Sequence, residues 1–174
     1  GNSGFYVRGG GPDQNLVLLD DAVVYNTGHL FGFFSVFNAD AVKSVSLIKG
    51  GFPAQYGGRL SSVIDIVMKD GNINKTEVDA GIGLIASRLA IQGPLIKNKA
   101  SYIVSARRTY IDAITNPILG KKNNYYGSGY YFYDINAKAN YQFSNNDRLF
   151  LSGYFGRDQF DFNNAKRSFT TSIP

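Results

Sequence analysis

Residues 130–143 read YYFYDINAKANYQF and decide the fold, because the odd positions from 131 to 143 are apolar or aromatic and the even positions from 134 to 142 are polar. Successive side chains of a β-strand point to opposite faces, so this alternation predicts a strand with one apolar and one polar face. Aromatic residues are concentrated at both ends of the apolar face, as in strands that cross a bilayer. Twelve steps of about 3.3 Å span roughly 40 Å, and a tilt of about 40° leaves about 30 Å across the membrane.

This pattern assigns a role to each face of the strand. The aromatic residues predicted to lie at the two membrane interfaces are Tyr131, Tyr133, Tyr141 and Phe143. The side chains predicted to face the lumen of a barrel are Asp134, Asn136, Lys138, Asn140 and Gln142.

Composition agrees with a β-rich membrane protein and excludes several other classes. Of 174 residues, 18% are charged and 14% aromatic, with 20 glycines and no cysteine, which excludes disulfides and thiol-bound metals. No apolar run approaches the roughly 18 residues of a membrane helix, so a crossing must use strands. The start does not resemble a signal peptide, and we expect the chain to begin inside a longer protein. The basic residues are scattered along the chain, so nucleic-acid binding is not expected.

The pattern divides the chain near residue 71. Residues 1–71 have a net charge of −1 and the pattern of short strands between glycine-rich loops, with a short helical turn expected at 38–40. Residues 72–174 have a net charge of +6 and the pattern of longer alternating strands. The reversals expected in the second part are a hairpin near 84–87, turns at 93–99 and 144–147, and long loops at 112–129 and after Asp158. Short turns at one end and long loops at the other give an orientation, with the long loops facing outward.

That orientation places Arg107, Arg108 and Tyr110 at the outward end of their strand. There the arginines would meet lipopolysaccharide phosphates or pair with neighbouring carboxylates, and the sequence leaves both alternatives open.

Several motifs of the first part occur in the order of a known family. They are FYVRGGG with Arg8-Gly9, NLVLLDD ending at Asp20-Asp21, a strand ending at Lys49-Gly50, Tyr56-Gly57 and the strand Val63–Lys69. Together they resemble the later part of the plug domain of TonB-dependent outer-membrane receptors. The stretches HLFGFFSVF and FYDINAKANYQF…DRLFLSGYFGRDQF are similar to receptors common in Bacteroidota. Asp21 stands where glycine is usual, and a turn that needs positive φ tolerates aspartate there.

The resemblance implies a mainly β fold, in which residues 1–71 form the C-terminal part of a mixed α+β plug domain. Residues 72–174 would form the first antiparallel strands of a transmembrane β-barrel, which is incomplete because the family's barrels have about 22 strands. It also implies an outer-membrane receptor that takes up a scarce substrate such as chelated iron, a glycan or a peptide. The expected partners are outer-membrane lipid, lipopolysaccharide, the TonB energy-coupling complex and a surface lipoprotein. The alternative is a structural or assembly subunit of an outer-membrane complex that uses the same fold without transport.

The resemblance also suggests which residues of the plug face the substrate. They are Arg8, Asn26, Thr27, His29, Phe31 and Phe33. Each of these assignments has an alternative. Arg8 could form an ion pair with an inward carboxylate such as Asp134 in place of binding substrate, and the phenylalanines could pack in the core. No enzymatic activity, cofactor or metal is expected, because the single histidine has no clustered ligand partner and Asp158 and Asp161 lack a third ligand for Ca²⁺.

Overall fold

The computed structural model describes residues 9, 11, 14–25, 28–29, 34–35, 37–51, 53, 56, 61–110, 129–164 and 167–173, with the backbone alone at 28–29, 34, 162–164 and 167–173. Its regular structure is β except for a 3₁₀ turn at Gln14, whose amide donates to the Gly11 carbonyl at 3.0 Å. The strands are β1 (Asn15–Leu19), β2 (Ala22–Val23), β3 (Gly28–His29), β4 (Phe34–Ser35), β5 (Val42–Ile48), β6 (Ser62–Met68), β7 (Glu77–Ile82), β8 (Ala86–Ile96), β9 (Ala100–Thr109), β10 (Gly129–Gln142), β11 (Arg148–Asn164) and β12 (Arg167–Ile173).

The strands form two main sheets. The small sheet has the order β2-β1-β6-β5, the large sheet has the order β12-β11-β10-β9-β8-β7, and β3 pairs with β4 alone. The expected helical contribution to the first part is not found among the described residues. At 38–40 the chain makes a single turn, in which the Asn38 side chain accepts a hydrogen bond from the Asp40 amide. This segment therefore forms a turn stabilised by Asn38, and it does not start a helix.

The centre of the small sheet is buried on both faces. Its middle strands β1 and β6 run parallel, and every residue of β1 is buried, which explains why NLVLL is a continuous apolar run. One face packs into a core with Met68 and Ala41, and the other face packs against Ile48 and Tyr56. The buried apolar residues of the two faces are Leu16, Val17, Leu18, Leu19, Ala41, Val63, Ile64, Ile66 and Met68.

The turn between β1 and β2 requires positive φ at two successive residues. Asp20 has φ 46° and Asp21 has φ 66°, and Leu19 pairs with Ala22 on either side. This is the backbone of the two-residue hairpin turn that Asn, Asp and Gly favour. The expectation that aspartate is tolerated at position 21 is therefore confirmed.

The large sheet is a meander in which each strand pairs antiparallel with the next in the chain. The predicted hairpin near 84–87 is confirmed. β7 and β8 pair from Ile82 with Ser87, next to the turn, to Glu77 with Gln92, and the Gly83 amide donates to the Ala86 carbonyl at 2.8 Å. The strand at 130–143 is β10, which begins and ends one residue earlier than the sequence stretch.

Two expected reversals are wrong. The stretch 93–96 is the end of β8 and not a turn, because the sheet accommodates Pro94 at a register shift between Pro94 and Ile96. No long loop follows Asp158, because β11 continues to Asn164 and pairs there with β12. The loop expected at 112–129 lies outside the described residues except for Gly129, which begins β10.

The two faces of the large sheet have opposite character. One face, called the apolar face below, exposes large hydrophobic side chains over most of its area. Its exposed members include Val78, Ile82, Leu89, Val104, Ile135, Leu149, Leu151 and Phe155. The other face, the polar face, buries Ser101, Ser105, Asp134, Asn136, Lys138 and Asn140, together with the apolar Ile103 and Phe132. In the part of the chain that the structure describes, no helix is long and apolar enough to span a membrane.

Candidate functional site

The candidate site is the interface at which the polar face of the large sheet covers the small sheet. Tyr154 of β11 packs against the core of the small sheet, and it is the large-sheet residue in that apolar cluster. Hydrogen bonds and ion pairs also join the first part of the chain to the large sheet. The interface therefore combines apolar packing with several polar contacts, unlike the apolar core of the small sheet.

Lys138 lies at the centre of this interface. Its ammonium group is 3.1 Å from Oδ1 of Asp20 and donates to the Met68 carbonyl at 3.2 Å. The Lys138 and Asp20 side chains are 5% and 2% exposed, so this is a buried ion pair between the sheets. Asp20 also accepts from the Met68 amide at 3.0 Å, which ties the β1–β2 turn to the end of β6.

Asp70 and Arg148 extend this ion pair toward solvent. Oδ1 of Asp70 is 3.4 Å from the Lys138 ammonium, and Oδ2 is 2.8 Å from the Arg148 guanidinium. Burial of the Asp70 carboxyl group acts to raise its pKa, but the hydrogen bond from Arg148 and the charge of Lys138 outweigh burial and place the pKa below its ordinary value. Two cations of the large sheet thus share two carboxylates at the end of the small sheet.

Arg107 makes a second ionic contact near the other end of the polar face. Its Nε and Nη2 donate to Oδ2 of Asp134 at 2.9 and 2.6 Å, and Nη2 also donates to the Ser35 carbonyl at 2.6 Å. Of the two alternatives open for the arginines, Arg107 therefore takes the neighbouring carboxylate. Arg108 points to the apolar face, where its guanidinium lies 5.2 Å from the centre of the Tyr131 ring.

Two further contacts join the turn at 38–40 to the large sheet. The Asn38 amide donates to the Ser105 hydroxyl, and both side chains are buried. Asp40 pairs with the Arg88 guanidinium, which also lies 3.5 Å from Asp79. These contacts hold the turn against β8 and β9.

Gly71, in the segment that links the sheets, lies directly against the backbone of β9 in the large sheet. A Cβ atom built at Gly71 would overlap the backbone carbonyl of Tyr102. Because backbone atoms cannot move aside cheaply, the link between the sheets requires glycine here.

Two clefts open along the line where the sheets meet. One has a volume of about 410 Å³ and is lined by Asp40, Lys69, Glu77, Asp79 and Gln92 among others. The other, of about 320 Å³, lies between the β1–β2 hairpin and β11 and is lined by apolar and aromatic side chains that include Tyr25 and Tyr154. The interface therefore leaves two open clefts between the sheets.

The residues that the sequence predicted to face a lumen lie together on the polar face. Asp134, Asn136, Lys138 and Asn140 are buried there, and Gln142 is half-buried. The predicted interface aromatics lie on the opposite face or beyond its edge, with Tyr131, Tyr133 and Tyr141 half-buried and Phe143 66% exposed.

The residues predicted to face substrate mostly lie outside the described part. These are Arg8, Asn26, Thr27, Phe31 and Phe33, and for His29 the structure gives the backbone in β3 alone. Asp158 and Asp161 belong to β11 and are half-buried. Among the described residues no group of three or more metal-ligating side chains comes together.

Sequence reasoning found one partner of the Lys138 and Asp134 contacts and neither partner of the Asp70–Arg148 and Asp40–Arg88 contacts. It identified Lys138 and Asp134 from alternation, but it did not find Asp20, Asp70, Arg148 or the inward orientation of Arg107. Register could have found the last, since alternation from Tyr102 and Val104 places Arg107 on the polar face. The pairing with Asp20 had no local signal, because 118 residues separate it from Lys138.

Comparison with known proteins identifies the first part of the chain. Residues 1–63 match the family model of the TonB-dependent receptor plug domain. No match was found among curated proteins or among solved structures.

Proposed function

Because residues 1–63 belong to the TonB-dependent receptor plug-domain family, we propose that the chain is part of a plug-gated outer-membrane transporter. Residues 1–71 act as the later part of the plug, and residues 72–174 act as the first strands of the barrel that it closes. The transported substrate is a scarce nutrient such as chelated iron, a glycan or a peptide, and the TonB complex supplies the energy. The bacterial outer membrane is the setting that the family implies.

The opposite character of the two faces of the large sheet is the observation that carries this proposal. The sheet exposes Ile82 at 90% and Leu151 at 77%, while it buries Lys138 and Asp134. In water, both the exposed apolar side chains and the buried charged side chains cost free energy, because apolar area stays hydrated and the charges lose their hydration. In a bilayer the same arrangement is favourable, with apolar side chains toward lipid and polar ones toward the lumen.

The polar interface supports a plug that can move. Separating two apolar surfaces costs about 25 cal/mol for each Å² exposed, whereas separated hydrogen-bonding groups are satisfied again by water. Oδ2 of Asp20 and Nδ2 of Asn136 are buried without a hydrogen-bond partner among the described residues, so part of this interface gains hydrogen bonds when water enters. An applied pull therefore meets less resistance here than in the core of the small sheet.

A charge on the apolar face tests the membrane assignment. Leu151→Arg in the full-length protein is expected to cost about 2 to 4 kcal/mol in the bilayer and to reduce the folded, heat-modifiable form in outer-membrane fractions. Leu84→Arg, at the exposed tip of the β7–β8 hairpin, is the matched control and should assemble normally. Equal assembly of both variants, or recovery of the protein as a soluble monomer without detergent, would contradict the proposal.

Transport itself is tested with a deletion strain. The strain should grow poorly in at least one medium limited for iron, glycan or peptide, and growth should depend on both the full-length gene and TonB. Normal growth in all of these media, together with loss of a neighbouring surface complex, would favour the structural-subunit alternative.

A further inference from the structure

The apolar face of the large sheet carries two arginines at the same level, on either side of one tyrosine. Register pairs Tyr133 with Arg108 of β9 and with Arg157 of β11. The three residues therefore form a row across neighbouring strands, called the Arg-Tyr-Arg row below. Strand spacing sets the Cα atoms of the two arginines about 10 Å apart.

These arginines differ from those of the polar face in having no ionic partner. Arg107, Arg88 and Arg148 each contact a carboxylate of the chain. Arg108 and Arg157 are exposed and have no carboxylate within ion-pair distance among the described residues. The guanidinium of Arg108 lies over the Tyr131 ring, which belongs to the next residue pair toward the end of the sheet.

The Arg-Tyr-Arg row lies at the boundary of the apolar face. The next row inward consists of Ala106, Ile135 and Phe155, and the rings of Tyr133 and Phe155 are 6.1 Å apart. The next pair outward is Tyr131 with Gln159. On the proposed membrane orientation, the row lies at the level where lipid headgroups meet acyl chains.

From these observations we propose that Arg108 and Arg157 bind the phosphate groups of a phosphorylated glycolipid of the lipopolysaccharide type, whose acyl chains lie along Ile135 and Phe155. The inference rests on the proposed membrane function. A guanidinium binds phosphate with two parallel hydrogen bonds, and a low-dielectric boundary strengthens the contact. The row occurs at the end of the strands at which residues 110–128 connect β9 to β10, the end that we assign to the outer leaflet.

The test measures binding of lipid A to the full-length protein in nanodiscs of zwitterionic lipid. Removing both arginines in an R108Q/R157Q variant should weaken lipid A binding about thirtyfold, and each single change about fivefold. The matched control is K97Q/K99Q, which removes two exposed positive charges from the turn at the opposite end and should change binding less than twofold. Equal binding by the wild type and R108Q/R157Q would overturn the inference, as would an equal loss in K97Q/K99Q.

The lipid provides a second measurement that needs no variant. Wild-type protein should bind dephosphorylated lipid A about as weakly as R108Q/R157Q binds lipid A, so the inference is testable even if that variant does not assemble. Inorganic phosphate at millimolar concentration should not displace lipid A, and full displacement would identify a free-phosphate site instead. Failure of the wild type to enter nanodiscs contradicts the proposed function, whereas normal insertion without selective binding contradicts this inference alone.

Discussion

At the scale of single residues, Lys138 forms the buried ion pair between the sheets, and it contacts both Asp20 and Asp70. Lys138→Met leaves the Asp20 carboxylate buried, and breaking a buried pair in this way costs about 3 to 5 kcal/mol. Asp20→Asn should cost less, because Lys138 keeps Asp70 and asparagine suits the positive φ of the turn. Thermal unfolding of the full-length protein in detergent, analysed as a double-mutant cycle, measures both costs. Equal losses for the two single variants would show that Asp70 does not compensate for Asp20.

Gly71 allows a second prediction at this scale. Gly71→Ala forces the linking segment away from Tyr102, and we expect a cost of about 3 kcal/mol, measured by thermal unfolding as a lower transition temperature. Gly153→Ala is the matched control, because a Cβ atom there meets no atom within 4 Å. A Gly71→Ala variant as stable as Gly153→Ala would mean that the link does not touch β9 in the working protein.

At the scale of elements, the contact between the end of β6 and strands β10 and β11 should depend on pH. The pKa of Asp70 is lowered, so its contribution to stability is complete above its unfolded pKa of about 3.9 and is lost as the pH falls through the lower folded value. The pKa of Asp65 is raised by burial and by Asp21 and Asp20, so its contribution has the opposite sign and decreases as the pH rises from about 3.9 through its folded pKa.

The measurement is thermal unfolding between pH 3 and 7. Asp70→Asn should remove the loss of stability at the acid end, and Asp65→Asn should remove the loss on raising the pH above about 4. A wild-type curve that is unchanged by Asp70→Asn below pH 4 would contradict the role given to the Arg148 contact.

The elements also show how far the sequence predicts the structure. Alternation identified β10 to within one residue at each end, and the phase change near Leu84 identified the β7–β8 hairpin, because both signals are local. Gly93-Pro94 misled the prediction, since a bulge absorbs Pro94 without ending β8. The candidate site combines residues that are far apart in the chain, so the sequence supplied Lys138 and Asp134 but not the partners that the fold brings to them.

At the scale of the whole molecule, the proposed transport cycle requires the small sheet to move relative to the large sheet. These 174 residues contain no cysteine, so in a full-length protein whose other cysteines have been replaced an introduced pair can be joined selectively. Asn38 and Ser105 contact each other across the interface, and Asn38→Cys/Ser105→Cys can be linked by a short bifunctional thiol reagent. Linking this pair should abolish TonB-dependent growth in the medium that requires the protein.

Two other Asn–Ser contacts provide matched controls within single sheets. The Asn15 and Ser62 side chains are 2.7 Å apart in the small sheet, and those of Asn140 and Ser101 are 2.8 Å apart in the large sheet. Linking either pair as cysteines leaves the sheets free to separate, so growth should continue at the rate of the unlinked protein. Growth that survives linking across the interface would show that the two sheets stay together during transport. The path of the substrate would then not run between them.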